Sequence, residues 1–252
     1  MQQGGKRLTQ IDNSIPKVTI VCVTFNAEAT LERLLKSVGK YKTGAIELVL
    51  LDGNSVDGTL GIIKDHEDII DFWRSEPDNG IYDAMNKAVD HIKGEWVIFL
   101  GADDELAAGF PAMLERLKNP DTVYYGNVIF YGKEFSKVYD DYYLTKLNIC
   151  HQGIFYPRAV FDRYCYKTKY RVYADYHLNL RLWKDKAFKF VHCNLLVARF
   201  AGDGFSMHTK DLVFEAERDK LFKRYLKPAS YYRYLNRTIG TVGTFKRLVT
   251  GQ

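Results

Sequence analysis

An α/β fold, with helices on both faces of a mostly parallel sheet, follows from three features of this 252-residue sequence. Strand-like and helix-like segments alternate from residue 18 to residue 100. The runs Val18-Thr19-Ile20-Val21-Cys22-Val23-Thr24 and Trp96-Val97-Ile98-Phe99-Leu100 lack strict apolar–polar alternation, as expected of strands covered on both sides. Polar and acidic residues then end the runs, above all the pair Asp103-Asp104, at the sheet edge where such proteins bind ligands.

The elements follow in order. Residues 1–16 read as a flexible N-terminal arm, and the first strand is Val18 to Thr24. Asn26 is placed as the cap of a helix whose Leu31, Leu34, Leu35 and Val38 mark one face. A second strand, Ile46 to Leu51, ends in Asp52-Gly53-Asn54-Ser55 and leads to a helix over 57–66. Ile69 to Trp73 is a short third strand. Asp78 is placed as the cap of the next helix, whose inward stripe is Ile81, Met85, Ala88, Val89 and Ile92. The 96–100 strand closes this half.

After Asp121 the pattern changes. Val123 to Tyr131 reads as a strand and the Tyr/Asp/Lys-rich stretch Lys133 to Lys146 as a flexible loop. Ile154-Phe155-Tyr156 is a short apolar strand, with Pro157 at a helix start. A helix over 175–184 and two short strands, Phe188 to Val191 and Leu195 to Phe200, precede a basic helical segment from 210 to about 238.

Composition bounds the function. A content of 46% hydrophobic and 27% charged residues is that of an ordinary folded protein. No run of eighteen apolar residues exists, and the first residues lack the apolar stretch of a secretory signal. Cys22, Cys150, Cys165 and Cys193 have no zinc-like spacing and read as reduced thiols of a cytoplasmic protein. The net charge of +5 divides unevenly: residues 1–126 hold 13 Lys/Arg and 20 Asp/Glu, whereas 127–252 hold 23 and 11. A front half that handles a cation and a back half facing anionic material suit that division. The basic half contains no zinc finger and no RNP-like strand, so a nucleic-acid partner is not expected.

Asp52, Asp78 and Asp103-Asp104 fall at strand ends of one sheet, where they would converge in one crevice. For each acid alone a turn or cap role competes with ligand binding. A pair of carboxylates suits Mg²⁺ or Mn²⁺ completed by phosphate oxygens and water. Asp83, Asn86 and Lys87 lie off the apolar stripe of their helix, at a ligand or in solvent. His151 and Gln152 precede an apolar strand, and His151 is either a donor to a ligand or a structural residue. Asp175 is either a helix cap or a base acting on a hydroxyl; His177, two residues on, should point elsewhere.

Taken in order, these blocks resemble a known family. They are Val21-Cys22-Val23-Thr24-Phe25-Asn26, Asp52-Gly53-Asn54-Ser55-Val56-Asp57-Gly58-Thr59, the stretch from Ser75 to Lys87 containing Pro77-Asp78-Asn79-Gly80-Ile81-Tyr82-Asp83, Gly101-Ala102-Asp103-Asp104, and Ala174-Asp175-Tyr176. The chain resembles the inverting family-two glycosyltransferases, which use nucleotide sugars, and within them bacterial enzymes of exopolysaccharide and O-antigen assembly, including colanic acid synthesis. The resemblance covers about residues 17 to 200. It implies a GT-A fold: a Rossmann-like, mostly parallel central sheet with flanking helices, here with a C-terminal helical extension.

It also implies a division into a catalytic domain over 17–209, with a nucleotide-sugar half (17–121) and an acceptor half (122–209), and an extension over 210–252. Thr24 and Asn26 would line the nucleotide site, Asp52 would read the base, and Asp78 and Asp83 would bound the sugar-diphosphate pocket. Asp103 and Asp104 would bind Mg²⁺ or Mn²⁺, with Asp104 the direct ligand. Asp175 would be the catalytic base, with His151, Gln152 and Lys87 about the substrates. The implied donor is a UDP- or dTDP-sugar, with a GDP-sugar second. The implied acceptor is a glycan or a polyprenyl-diphosphate-linked sugar. The basic, tyrosine-rich extension reads either as a contact with an anionic membrane at its inner face or as a packing helix with a solvated basic side.

Three positions depart from the family pattern: Asn54 stands where Gly is common, Gly101 where Asn is common, and His177 where a second acid is common. Two rival classes share acids at a parallel-sheet mouth. One is a sugar-phosphate nucleotidyltransferase, but Thr24-Phe25-Asn26-Ala27-Glu28 is not its Gly-rich basic phosphate loop. The other is a non-catalytic nucleotide-binding protein.

Overall fold

The computed structural model describes residues 1–10, 14–201 and 209–238. Its elements are β1 (Gln2–Gly4), β2 (Val18–Thr24), α1 (Leu31–Gly39), β3 (Ile46–Asp52), α2 (Thr59–Asp65), β4 (Phe72–Ser75), α3 (Ile81–Val89), β5 (Trp96–Gly101), β6 (Glu105–Leu106) and α4 (Phe110–Leu114). The second half holds β7 (Thr122–Phe130), β8 (Lys133–Phe135), β9 (Ile154–Pro157), α5 (Ala159–Arg163), α6 (Ala174–Lys184), β10 (Lys189–Arg199) and α7 (Leu212–Tyr225). A further helical run covers 228–238.

The strands form one mixed sheet in the order β1-β4-β3-β2-β5-β9-β7-β10-β6, with β8 paired to β7. Its longest ladders are parallel: β2 with β3 and with β5, β3 with β4, and β7 with β10. Side chains alternate between the two faces, and both faces are covered. Val18, Ile20 and Cys22 pack toward α1, α2 and α4. Val21, Val23, Val97 and Phe99 pack toward α3, α6 and α7. The continuous apolar runs of the sequence are this double coverage seen in one dimension.

Several expectations change. Residues 2–4, part of the expected loose arm, pair antiparallel with β4 as β1. The stretch 133–146 contains β8, which forms a hairpin with β7, and a 3₁₀ turn at Tyr143–Thr145. The two strands expected near 188–200 are one strand, β10, with register shifts between His192 and Leu196 and between Leu196 and Ala198. Those irregularities put polar residues inside a strand and hide its continuity in the sequence. Pro157 ends β9, and helix α5 begins two residues later. The basic helix breaks at 226–227, and its residues from 239 onward lie outside the described residues.

The extension packs onto the domain. Asp211 caps α7 by accepting from the Phe214 amide, and its other oxygen accepts from Val172 and Tyr173 N–H at 2.9 and 3.0 Å. Phe214 stacks on Tyr176 of α6 with ring centroids 5.1 Å apart. The sequence boundary at 210 is therefore not a break in packing.

Candidate active site

Strands β2, β3, β4 and β5 run parallel, so their C-terminal ends open on one side, where four loops meet. The loops after β2 and β3 are bonded to each other. Asn26 takes a left-handed backbone (φ 48°), accepts from Val56 N–H at 3.0 Å and donates its own N–H to Ser55 at 2.8 Å. It is thus a loop clamp; the N-cap of α1 is Thr30. Thr24, at the end of β2, is buried, and its hydroxyl has no hydrogen-bond partner among the described residues.

Asp52 is 1% exposed. Its carboxylate accepts from Ser55 N–H at 3.0 Å, from the Ser55 hydroxyl, and from the Ser75 hydroxyl at 2.6 Å. Through these bonds Asp52 ties the loop after β3 to the end of β4. The acid that reaches the crevice here is Asp78. A Cβ on Gly53 would stand 2.6 Å from Asp78 Oδ2 and 3.2 Å from the ring of Phe25, which is 63% exposed. Asp78 Oδ1 accepts from Gly80 N–H at 2.7 Å, an Asx turn that precedes α3. Gly80 caps α3 with φ 110°, a backbone that glycine adopts freely.

Asp83 and Lys87 face each other one turn apart on α3, with 3.3 Å between Nζ and Oδ2. Asp83 also accepts from Asn79 N–H at 2.9 Å, and Lys87 donates to the Pro77 carbonyl at 2.8 Å. The Asn79 contact, then burial opposing it and the Lys87 ammonium, set the Asp83 pKa below its ordinary value. Both side chains brace the 77–80 turn, which carries Asp78.

At the end of β5, Asp104 is completely buried. Its carboxylate accepts from Gly101 N–H at 2.7 Å and, on the other oxygen, from Ala201 N–H at 3.4 Å. Burial first, and the neighbouring Asp103 second, push its pKa up to about 6. Asp103 is only partly buried, and its carbonyl accepts from Arg33 of α1 at 2.8 Å. A Cβ on Gly101 would stand 2.8 Å from Asp103 Oδ1 and 3.2 Å from Asp104 Oδ2, so glycine leaves the room that the pair occupies. Among the described residues no three His, Cys, Asp or Glu side chains form a ready-made metal cage. Two hard carboxylates, one buried beside a like charge, are the donor set of an Mg²⁺ or Mn²⁺ site completed by phosphate and water, and in this respect the residues fit such an ion.

On the far side of the crevice, Asp175 stands at the second position of α6 and is 6% exposed. Its oxygens meet Tyr82 OH at 2.9 Å, Tyr176 N–H at 2.8 Å, Asn148 Nδ2 at 2.7 Å and His151 Nδ1 at 3.5 Å. His151 is within electrostatic reach of both this acid and the acidic pair. Burial lowers its pKa, but Asp175, then Asp104 and Asp103, more than reverse that and leave it raised. Gln152 is buried, and its side chain acts on Asp104 as a donor that opposes the rise there. His177 points away into the α6–α7 contact, 4.9 Å from the Tyr170 ring and 6.0 Å from that of Tyr225.

An open groove of about 560 Å³ lies outside this crevice, beside α1. Its charges are largely paired among themselves, Arg33 with Glu105 and Lys36 with Glu32, and it holds none of the strand-end aspartates.

The sequence profile described as Glycosyl transferase family 2 matches residues 19–190, which span every strand end of the crevice. The chain belongs to glycosyl transferase family 2.

Relatives of this family-two enzyme support the assignment. A Mycobacterium bovis protein named PGL/p-HBAD biosynthesis glycosyltransferase is 36% identical over 197 residues, 73% of this chain and 77% of that protein. A Campylobacter jejuni protein named GalNAc(5)-diNAcBac-PP-undecaprenol beta-1,3-glucosyltransferase is 30% identical over 132 residues, 48% of this chain and 43% of that one. Among solved structures, Staphylococcus aureus TarS superposes with a TM-score of 0.64 at 14% identity, over 87% of this chain and 42% of TarS. The mannosyltransferase PcManGT of Pyrobaculum calidifontis, in complex with GDP-Man and Mn²⁺, gives 0.63 at 19% identity, over 89% of this chain and 69% of that one. These likenesses show the GT-A fold. Membership makes the chain a glycosyltransferase and sets the nucleotidyltransferase reading aside.

The geometry also explains the three departures. Asn54 has φ 66°, a left-handed backbone open to Asn as well as Gly. Gly101 has no room for a side chain beside the acidic pair. His177 faces a protein contact rather than the crevice. Sequence reasoning gave no role at the site to Asn148, Asn179, Tyr82 and Tyr156, which meet behind Asp175 only through tertiary contact.

Proposed function

We propose that the chain is a metal-dependent, inverting glycosyltransferase of bacterial surface polysaccharide or glycolipid synthesis. It moves a sugar from a nucleotide-diphosphate donor to a hydroxyl of a glycan or polyprenyl-linked acceptor. The observation that carries this reading is the placement of Asp175: a nearly buried carboxylate at the start of α6, 3.5 Å from His151, which also lies within the field of the acidic pair at the end of β5. The printed names of the M. bovis and C. jejuni relatives support a glycolipid or undecaprenol-linked acceptor.

Asp175 takes the proton of the acceptor hydroxyl as its oxygen bonds to the anomeric carbon. The bond from that carbon to the diphosphate oxygen breaks on the opposite face, so the configuration inverts. Asp103 and Asp104 would hold Mg²⁺ or Mn²⁺, which when bound offsets the charge of the leaving diphosphate. His151, beside Asp175 and within the field of the acidic pair, offers its ring nitrogens to the substrates. Asp78 and the exposed Phe25, over the floor of Gly53, take the nucleobase in place of Asp52: the carboxylate accepts a ring N–H and the aromatic face stacks. A UDP- or dTDP-sugar, each with one such N–H, is the first choice of donor and a GDP-sugar the second. Asp83 and Lys87 act on the donor through the turn that carries Asp78.

A donor screen tests the reading. Release of nucleoside diphosphate, with and without Mn²⁺ or Mg²⁺ and lipid-linked acceptors, should occur with at least one common donor and collapse in Asp175→Asn. Transfer that survives Asp175→Asn would remove the base assignment.

The extension supports a second contact. Lys220, Lys223 and Arg224 are exposed, as are Leu212, Val213 and Tyr232, and no described helix is long and apolar enough to cross a membrane. Each basic residue near an anionic surface contributes roughly 1 kcal/mol. Flotation should therefore show binding to vesicles containing phosphatidylglycerol, weakened by salt. Equal binding to neutral vesicles would sink the idea of an inner membrane face as the working site.

A further inference from the structure

Behind Asp175 runs a chain of polar side chains inside the core. The Tyr156 hydroxyl donates to Asn179 Oδ1 at 2.7 Å, Asn179 Nδ2 to Asn148 Oδ1 at 2.9 Å, and Asn148 Nδ2 to Asp175 Oδ2 at 2.7 Å. Tyr156 and Asn179 are fully buried, and Asn148 is half-buried. The order of donors and acceptors permits one arrangement only. A carboxylate accepts and cannot donate, so Asn148 must turn its NH₂ toward Asp175 and its oxygen toward Asn179. Asn179 must then offer NH₂ to Asn148 and oxygen to the phenol, which donates. Flipping either amide would set oxygen against oxygen in a buried site, where an unmet polar group costs about 1–3 kcal/mol.

The other carboxylate oxygen is crowded. Oδ1 lies 2.9 Å from Tyr82 OH and 2.8 Å from Tyr176 N–H. Tyr82 also reaches the Val172 carbonyl at 2.7 Å and has one proton to share between the two acceptors. Among the described residues, Oδ2 has one firm donor, Asn148, and otherwise the distant contact with His151 Nδ1 at 3.5 Å. The open lone pair is on Oδ2, on the side of His151.

We infer that Asn148, held by Asn179 and Tyr156, is a positioning residue that fixes the Asp175 carboxylate so that Oδ2 receives the acceptor's proton. The inference rests on Asp175 being the base. In the transfer, the acceptor O–H breaks, its oxygen bonds to the anomeric carbon, the nucleoside diphosphate departs with the electron pair of the broken bond, and the proton goes to Oδ2. Asn148 neither gives nor takes a proton. It sets where the base stands, and a misplacement of about 1 Å can lower a rate roughly 100-fold.

The test compares Asn148→Ala, Asn179→Ala, the double variant, Asn148→Asp and Asp175→Asn, with the nucleotide sugar (UDP-glucose or UDP-GlcNAc) that the wild-type chain turns over best. Asn148→Ala should lower kcat roughly 10- to 100-fold and leave donor KM within about twofold, because the donor half is untouched. The UDP-induced rise in melting temperature should stay as in wild type. The double variant should be no slower than Asn148→Ala, since Asn179 acts through Asn148. Asn148→Asp keeps the shape but replaces the amide by a carboxyl that must share a proton with Asp175, so it too should lower kcat, and it supplies the second reading if the alanine variant does not fold. Wild-type kcat in either Asn148 variant, or additive losses in the double variant, would overturn the inference while Asp175→Asn is inactive. An active Asp175→Asn variant overturns the base reading itself, and with it this inference.

Discussion

In the proposed reading, single residues decide whether the crevice takes a nucleotide, and Gly53 is the clearest case. It has no side chain where Asp78 Oδ2 and the Phe25 ring come together. Gly53→Ala would place a methyl 2.6 Å from the carboxylate oxygen and push Asp78 out of line. A hydrogen bond to a charged group is worth about 1.5–3 kcal/mol, so donor KM should rise roughly tenfold or more with kcat little changed. Steady-state kinetics against donor concentration check this, and an unchanged KM would return the base contact to another residue. The acids at the strand ends were legible because their positions after apolar runs are local facts of the sequence. Their surroundings were not: Asp52 and Asp78 look alike in sequence, and only the folded chain shows Asp52 accepting from the Ser55 and Ser75 hydroxyls and Asp78 from the Gly80 N–H.

At the scale of elements, α6 carries Asp175, the proposed base, and what fixes α6 comes from far along the chain. Asp211 is 3% exposed and accepts from three backbone N–H groups: Phe214, which starts α7, and Val172 and Tyr173, which lead into α6. Asp211→Ala leaves three buried donors unmet and should cost about 2–4 kcal/mol, more than an isolated helix cap. Urea unfolding measures that loss, and a change below about 0.5 kcal/mol, within the usual surface scatter, would show that the two helices are held by apolar packing alone. The helices of the first half were readable because their apolar stripes recur every three or four residues. β1 and β6 were not, since Gln2–Gly4 and Glu105–Leu106 have too few residues for any period and become strands only by pairing with β4 and β10. The Asn148–Asn179 chain was hidden for the same reason: it is made by tertiary contact.

For the whole molecule, the sheet separates two faces, and the α6–α7 side contains an ionisable group that links stability to pH. His177 is buried between Tyr170 and Tyr225. Its Nδ1 has no hydrogen-bond partner among the described residues. Burial first, then Arg181, Lys169 and Lys167, pull its pKa down to about 4, with Glu217 opposing them. In the unfolded chain the imidazole titrates near 6.5. Between about pH 6.5 and 4 the unfolded state therefore binds more protons than the folded one, and stability rises with pH through that window. The contribution is complete above pH 6.5 and lost as pH falls through the folded value. The full shift corresponds to roughly 3 kcal/mol, and because the ring edge reaches solvent about 2 kcal/mol is expected. His177→Gln should thus flatten the decline in unfolding free energy from pH 7 to pH 4 by that amount, measured against wild type so that other titrating groups cancel. Parallel curves for the two proteins would mean that His177 takes up its proton in the folded state, with the α6–α7 contact opening to admit it.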